Sequence, residues 1–348
     1  MRRLKTKQRG RRLAVAALLI VFVLRTASAS AVSYVDGISD QHMYNWEGAV
    51  SNLFSNAWVG SPPSHIRLAR YVVQWNVMGG GGYANEYSSF NSWYERAGQL
   101  GLTREIALAD YVGAVEPSSS AYGTELEKLL SAFKGISVIE AWNEPNHHTS
   151  KVNFYVSPAA AGHYMNAAYS VCRSYGCASI AGDFLDEPNV AEYEKQYAET
   201  LNPKDPGNWG IHPYAAIETH STQPVETFRT VLPSPSTDRV WFTEVGAYYC
   251  KAGESPPRGE PAQASDAGYL VNTLIPRTTN LEHVFYYEYA DDGEKTIDCG
   301  KGDEDSELYA PPVEGRPNRP RSAASIIWGP YFQYGVPESV ATTSLPPA

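Results

Sequence analysis

Two glutamates stand where short apolar runs end. Ile139-Glu140-Ala141-Trp142-Asn143-Glu144-Pro145-Asn146 closes one run, and Trp241-Phe242-Thr243-Glu244-Val245-Gly246 closes another. A carboxyl pair, one protonated and one ionised, suits acid–base and nucleophilic work on a single bond. That requires Glu144 and Glu244, far apart in the chain, to meet across one cavity. Glu140 lies four residues before Glu144, roughly 13 Å deeper if the run is a strand. It is read as a core acid paired with a base.

The elements that would position them form a regular series. Short runs rich in apolar and aromatic residues, mostly without alternation, cover 33–37, 66–73, 104–111, 137–142, 179–183, 210–212, 240–244 and 284–289. This pattern suits parallel strands covered on both faces. Helical patterns fall between them. Phe90, Trp93, Tyr94, Ala97 and Leu100 repeat at helical spacing, and Gly101 stops the run. Leu126, Leu129, Leu130 and Phe133 repeat it before Gly135. Ser157-Pro158 reads as an N-cap with proline at the first helical position, opening a helix to about Tyr175-Gly176. Further helices are predicted near 44–54, 190–200, 225–232, 266–274 and 322–328. Strict alternation over about 300 residues predicts an α/β fold of the (β/α)8 TIM-barrel type. The glycine run Gly79 to Gly82 does not sit between a strand and a helix as a phosphate loop would. In such a barrel, strand C-termini line the active-site mouth, and strands four and seven face each other across it.

Composition narrows the class. The 348-residue chain opens with a basic segment, then an apolar run to Leu24, then the small-x-small sites Ala27-Ser28-Ala29 and Ala29-Ser30-Ala31. Residues 1–31 are therefore read as a secretory signal peptide, 32–335 as the catalytic barrel and 336–348 as a disordered tail. The apolar run is shorter than the roughly 20 residues a spanning helix needs. The first 29 residues hold eight of the 28 Lys+Arg and none of the 38 Asp+Glu, which leaves −18 for the rest. That charge argues against nucleic acid or an anionic membrane as partner. It suits a neutral ligand such as a carbohydrate. The 24 Tyr and 8 Trp fit rings that stack on sugar faces. The expected form is a secreted monomer, free of the membrane after signal cleavage.

Asn-Glu-Pro at the end of strand four and Thr-Glu at the end of strand seven resemble glycoside hydrolase clan A, the "4/7" superfamily. Its family 39-like and family 5-like members are the most similar. The resemblance spans the whole barrel and rests on a few short motifs. It implies a retaining double displacement on a β-linked oligo- or polysaccharide, with the carboxyls about 5–5.5 Å apart. Glu144 would be acid/base and Glu244 the nucleophile. Ionised Glu244 would keep Glu144 protonated until the glycosyl ester forms. Arg70, in Arg70-Tyr71-Val72-Val73-Gln74-Trp75, is similar to the family's Arg-x4-Trp. It would lie beside Glu244 and keep it anionic; the alternative is a partnership with Glu140. His212-Pro213-Tyr214 matches a His-x-Tyr element. Tyr214 would donate to the nucleophile and His212 would line the site. Asn143 would bind the hydroxyl next to the anomeric carbon. On strand eight, Tyr286, Tyr287 and Tyr289 replace the family's usual Trp platform, so Tyr287 is a substrate-binding candidate. Trp75 is another, with Trp46 and Trp209 as further loop-side rings.

Four cysteines allow three pairings. Cys172 and Cys177 bracket one turn, and Cys250 and Cys299 fall just past strands seven and eight, so those two pairs are expected. Chain entropy gives about 2 kcal/mol for the short loop and about 4 for the long one. His147-His148 lacks other ligands at metal spacing, and the acidic stretch 291–307 lacks EF-hand spacing. No metal or cofactor is expected. Two other readings use the same residues or fold: a retaining transglycosylase, and a non-catalytic glycan-binding barrel. An esterase would need a Gly-x-Ser-x-Gly elbow, which the sequence does not contain.

Overall fold

The eight apolar runs become eight parallel strands. They are β1 (Val35–Ser39), β2 (Ile66–Gln74), β3 (Thr103–Ala109), β4 (Ile136–Glu140), β5 (Ala178–Leu185), β6 (Asn208–His212), β7 (Arg239–Val245) and β8 (Leu281–Tyr286). They close in chain order, with β8 pairing β1. This is a (β/α)8 TIM barrel, as the alternation predicts. The computed structural model describes residues 34–40, 66–82, 85–110, 116–147, 154–251, 258–287, 309–310 and 319–328. The leader, the helix expected at 44–54, Trp46, His148, Tyr289, Cys299, the acidic stretch 291–307 and the tail lie outside them. Among the described residues, no helix is long and apolar enough to cross a membrane.

The helices follow local signals. Ser157 caps Pro158–Tyr175: its side chain accepts from the Ala160 N–H at 3.2 Å, and Gly176 ends the helix with φ 77°. Such a cap contributes about 1 kcal/mol. Ser118 caps Ser119–Ala132 in the same way. Glu86–Gln99 buries Phe90, Trp93 and Ala97, the face its spacing predicts. Two ranges differ. The stretch expected as a loop around 253–263 turns helical at Gly259, so Gly259–Tyr269 precedes a single π turn at Leu270–Leu274. A short helix, Tyr214–Glu218, directly follows β6. Cys172 and Cys177 form a disulfide across the turn after Pro158–Tyr175.

Side chains inside the barrel form layers. Leu68, Val138, Ile180, Trp241 and Phe285 make an apolar floor, with Val35 packed against them. Two residues further along a strand the side chain faces the same way, about 6.6 Å nearer the mouth. There stand Arg70, Glu140 and Thr243, all fully buried. On β5 the alternation breaks. Its register shifts between Gly182 and Phe184, and Gly182 and Asp183 have φ of 90° and 63°. This bulge turns Asp183 into the barrel and sends Phe184 outward, onto Tyr193, Tyr197 and Phe228.

Candidate active site

Glu144 and Glu244 sit at the mouth ends of β4 and β7, and one carboxylate oxygen of each lies within 4.8 Å of the other. They retain 9% and 8% exposure, whereas Arg70, Glu140, Asp183 and His212 have none. The glutamate pair, with Tyr214 at 8% and Asn143 at 4%, is therefore the part of this polar cluster that a ligand can touch. Glu144 takes φ 46°, unusual for a residue with a side chain. Its N–H donates to the Asp183 carbonyl at 2.9 Å, which ties the β4 end to the β5 bulge.

Arg70 is the hub. Its Nη1 donates to Glu244 Oε2 at 2.8 Å and to Ser39 Oγ at 3.0 Å. Its Nη2 donates to Glu140 Oε2 at 2.8 Å, Asn143 Oδ1 at 2.7 Å and Asp183 Oδ2 at 3.0 Å. Its Nε reaches Glu140 Oε1 at 2.9 Å. The two partners weighed for Arg70 are thus both met, because a guanidinium directs five N–H groups along separate edges. Glu140 is the core acid expected, and it shares its base with Glu244.

Tyr214 donates to Glu244 Oε1 at 2.7 Å. Its turn is held by Asp186, whose two oxygens accept from the Ala215 and Ala216 N–H groups at 2.8 and 2.7 Å. His212 bonds Glu144 Oε1 through Nδ1 and Asp183 Oδ1 through Nε2, each at 2.8 Å. Thr243 Oγ1 also donates to Asp183 Oδ1, at 2.5 Å.

Charge and burial set the protonation. Burial opposes charge on His212, but Asp183 and then Glu244 outweigh it and push the imidazole up to about 10. Both ring nitrogens face carboxylate oxygens, an arrangement that favours the imidazolium, which donates from both. Burial also opposes ionisation of Asp183; the charges of His212 and Arg70 prevail and hold it well below the usual carboxylate range. Burial raises Glu244, and Glu144 adds to the rise, while His212, Arg70 and the Tyr214 hydroxyl oppose it. Glu140 is pushed well up, chiefly by burial and against the pull of Arg70. Burial takes Glu105, on neighbouring β3, up to about 7.

Among the described residues, two groups of three ligand-type atoms come close enough to consider a metal: Glu140, Asp183 and His212, and Glu144, His212 and Glu244. In the first, the Arg70 guanidinium already provides the cation. In the second, His212 Nδ1 is already engaged by Glu144 at 2.8 Å, and both oxygens of Glu244 are held by Arg70 and Tyr214.

The other rings separate cleanly. Trp209, expected near the mouth, is instead fully buried behind β6, its ring 6.1 Å from Tyr197. It stands one residue into the strand and faces the helices. Trp75 is half-buried just past β2 and packs against the edge of the barrel–helix core. Tyr286 is buried, and Tyr287, whose N–H donates to the Val245 carbonyl at 2.7 Å, is half-buried just past β8. Tyr248 stacks on Tyr214 at 5.3 Å. Phe154 packs on Val72, Ala107 and Ala109, and Trp142 Nε1 holds its carbonyl at 2.8 Å. Neither Tyr248 nor Phe154 stands out in the sequence, because each comes from a loop of irregular pattern. In the Trp-Asn-Glu-Pro-Asn motif, Trp142 stacks outward on Tyr164 at 5.0 Å. Asn146 exchanges bonds of 2.8 and 2.9 Å with the Leu185 backbone. His147 bonds Glu187 at 2.7 Å, away from the carboxyl pair. Cys250 is disulfide-bonded.

No protein-family model matches the chain, and no curated protein matches it in sequence. Solved structures are similar. SrfJ from Salmonella typhimurium superposes with a TM-score of 0.60 at 9% identity, over 85% of this chain and 74% of that one. An endo-β1,6-glucanase gives 0.60 at 12%, over 85% and 74%. The xylanase XynB from Paenibacillus barcinonensis gives 0.57 at 11%, over 86% and 97%. At such identities the likeness is one of fold.

Proposed function

We propose that the chain is a retaining glycoside hydrolase acting on a β-linked oligo- or polysaccharide. Glu244 is the nucleophile and Glu144 the acid/base. The observation that carries this reading is that the two mouth carboxyls bring one oxygen each to within 4.8 Å. That suits direct attack, whereas an inverting pair stands about 6.5–9.5 Å apart to admit water. The xylanase and the endo-β1,6-glucanase among the similar folds act on glycans, which supports the reading.

The contacts assign the steps. Arg70 and Tyr214 hold both oxygens of Glu244 and aim it at the anomeric carbon. Glu144 protonates the leaving oxygen through Oε2, since His212 holds Oε1. The His212 N–H stabilises the carboxylate that remains. With Glu244 esterified, Glu144 takes a proton from water, and the resulting attack releases the sugar with retained configuration. Asn143 Oδ1 accepts from Arg70 Nη2, which leaves its amide N–H groups to donate to a sugar hydroxyl. Tyr287, Tyr248 and Phe154 supply ring surface. The leader sequence and the Cys172–Cys177 bridge support an exported protein.

The test is a panel of β-glycans with product sizing, followed by a mechanism-based 2-fluoroglycoside of the sugar that is cleaved. Mass spectrometry should find the label on Glu244. Glu144→Gln and Glu244→Gln should each lose about 10³-fold or more in turnover while remaining folded. A label elsewhere, or near-normal turnover in either variant, removes the assignment.

A further inference from the structure

We propose that Asp183 is a positioning residue coupling the two mouth carboxyls, its single carboxylate holding Arg70 and His212 in the orientations that reach Glu244 and Glu144. Oδ2 accepts from Arg70 and Oδ1 from His212 and Thr243. A continuous buried path then runs Glu244–Arg70–Asp183–His212–Glu144, each link 2.8 to 3.0 Å. The backbone closes the arrangement, because the Asp183 carbonyl accepts the Glu144 N–H at 2.9 Å. Nothing in the pattern of β5 requires an acid here. The Gly182 bulge exists at the cost of two left-handed residues, and its effect is to aim this carboxylate inward.

The consequence is chemical. With Asp183 on Nε2, His212 must present Nδ1 to Glu144. The charge of Asp183 decides whether that nitrogen donates a proton or offers a lone pair. The groups facing His212 are Asp183 from β5, Glu144 after β4, Glu244 from β7 and Arg70 from β2, with Asp186 beyond. Asp183 contacts both His212 and Arg70, the two cations among these groups. Its loss should release His212 from the charged state and slacken Arg70 together. The role in coupling acid to nucleophile rests on the glycosidase reading; the control of His212 does not.

The experiment is nitrogen-15 NMR of the histidine rings in the full chain, with His212 assigned by its loss in His212→Asn. In the wild-type protein both ring nitrogens should stay protonated well above neutral pH. A neutral His212 at pH 7 overturns the proposal without any Asp183 variant. In Asp183→Asn the His212 titration should fall by about 1–3 pH units, the usual effect of one close counter-charge. Thr243→Val, which removes a neutral contact, should leave it in place. An unmoved titration in folded Asp183→Asn overturns the proposal. On a cleaved substrate, Asp183→Asn should lower kcat about 10²-fold with little change in KM, and should displace the alkaline limb of the pH profile. Asp183→Glu should restore the limb in part. If the wild-type protein cleaves no glycan, the reaction assignment fails, while the His212 titration still decides the role of Asp183.

Discussion

Arg70 and Glu244 are joined by a 2.8 Å bond from Nη1 to Oε2, and the same guanidinium holds Glu140 at 2.8 Å on its other edge. One cation therefore ties a carboxyl of the mouth to a carboxyl of the interior. Removing it strands both, together with Asp183.

Arg70→Lys should accordingly be severe, although it conserves charge. An ammonium is a point donor and cannot meet Glu140, Asn143, Asp183 and Glu244 at once. Breaking a buried ion network of this kind costs about 3–5 kcal/mol. Urea denaturation should show that loss, and any residual activity should fall at least 10²-fold. A lysine variant as stable and as active as wild type would remove Arg70 from its place at the centre.

Tyr214→Phe should separate chemistry from folding. The ring stays stacked on Tyr248, and only the 2.7 Å bond to Glu244 is lost. A hydrogen bond to a charged group is worth about 1.5–3 kcal/mol, which as transition-state stabilisation is roughly 10- to 100-fold in kcat/KM. Thermal denaturation should move little. A large drop in Tm with unchanged kinetics would make Tyr214 a packing residue.

Stability should fall as pH rises from mildly acidic to alkaline. Glu105 is raised to about 7 and His212 to about 10, so each holds its proton more tightly when folded. Their contributions are fully present below the unfolded values, about 4.3 for Glu and 6.5 for His. They fade until the folded values are passed, at about 7 and about 10. Asp183 acts in the opposite sense and costs stability only in strong acid. Urea midpoints at pH 6 and pH 9.5 should differ in favour of pH 6, and His212→Asn should flatten the alkaline part. An alkaline slope that His212→Asn leaves unchanged would mean that His212 is neutral in the folded chain.

Gly182→Ala should damage the site through the backbone. A Cβ there would stand 2.9 Å from the Gly210 carbonyl oxygen and 2.9 Å from the Phe184 ring, on a residue with φ 90°. Strain of this kind costs about 1–3 kcal/mol, and the clash adds to it. The variant should melt earlier and lose activity together, because the bulge that aims Asp183 is disturbed. An alanine variant with wild-type Tm would show that β5 tolerates a side chain at this position.

The sequence by itself determined the barrel and the end of it where the polar cluster gathers. Eight strands, the capped helix after Ser157, and the placing of Glu144, Glu244, His212 and Tyr214 at strand ends are all local patterns of period and punctuation. A parallel sheet closing in chain order turns those local ends into one mouth. Tertiary structure alone decided the rest. Alternation along β5 points Asp183 toward the helices, and a single bulged residue reverses it. Arg70 could not be assigned to Glu140 or Glu244 from spacing, because its reach to both depends on strands brought together only when the barrel closes. Trp209 went the other way, into the core, because one position at the start of a strand decides which face a ring meets. Periodicity is a property of one segment, whereas a buried charge network belongs to five strands at once.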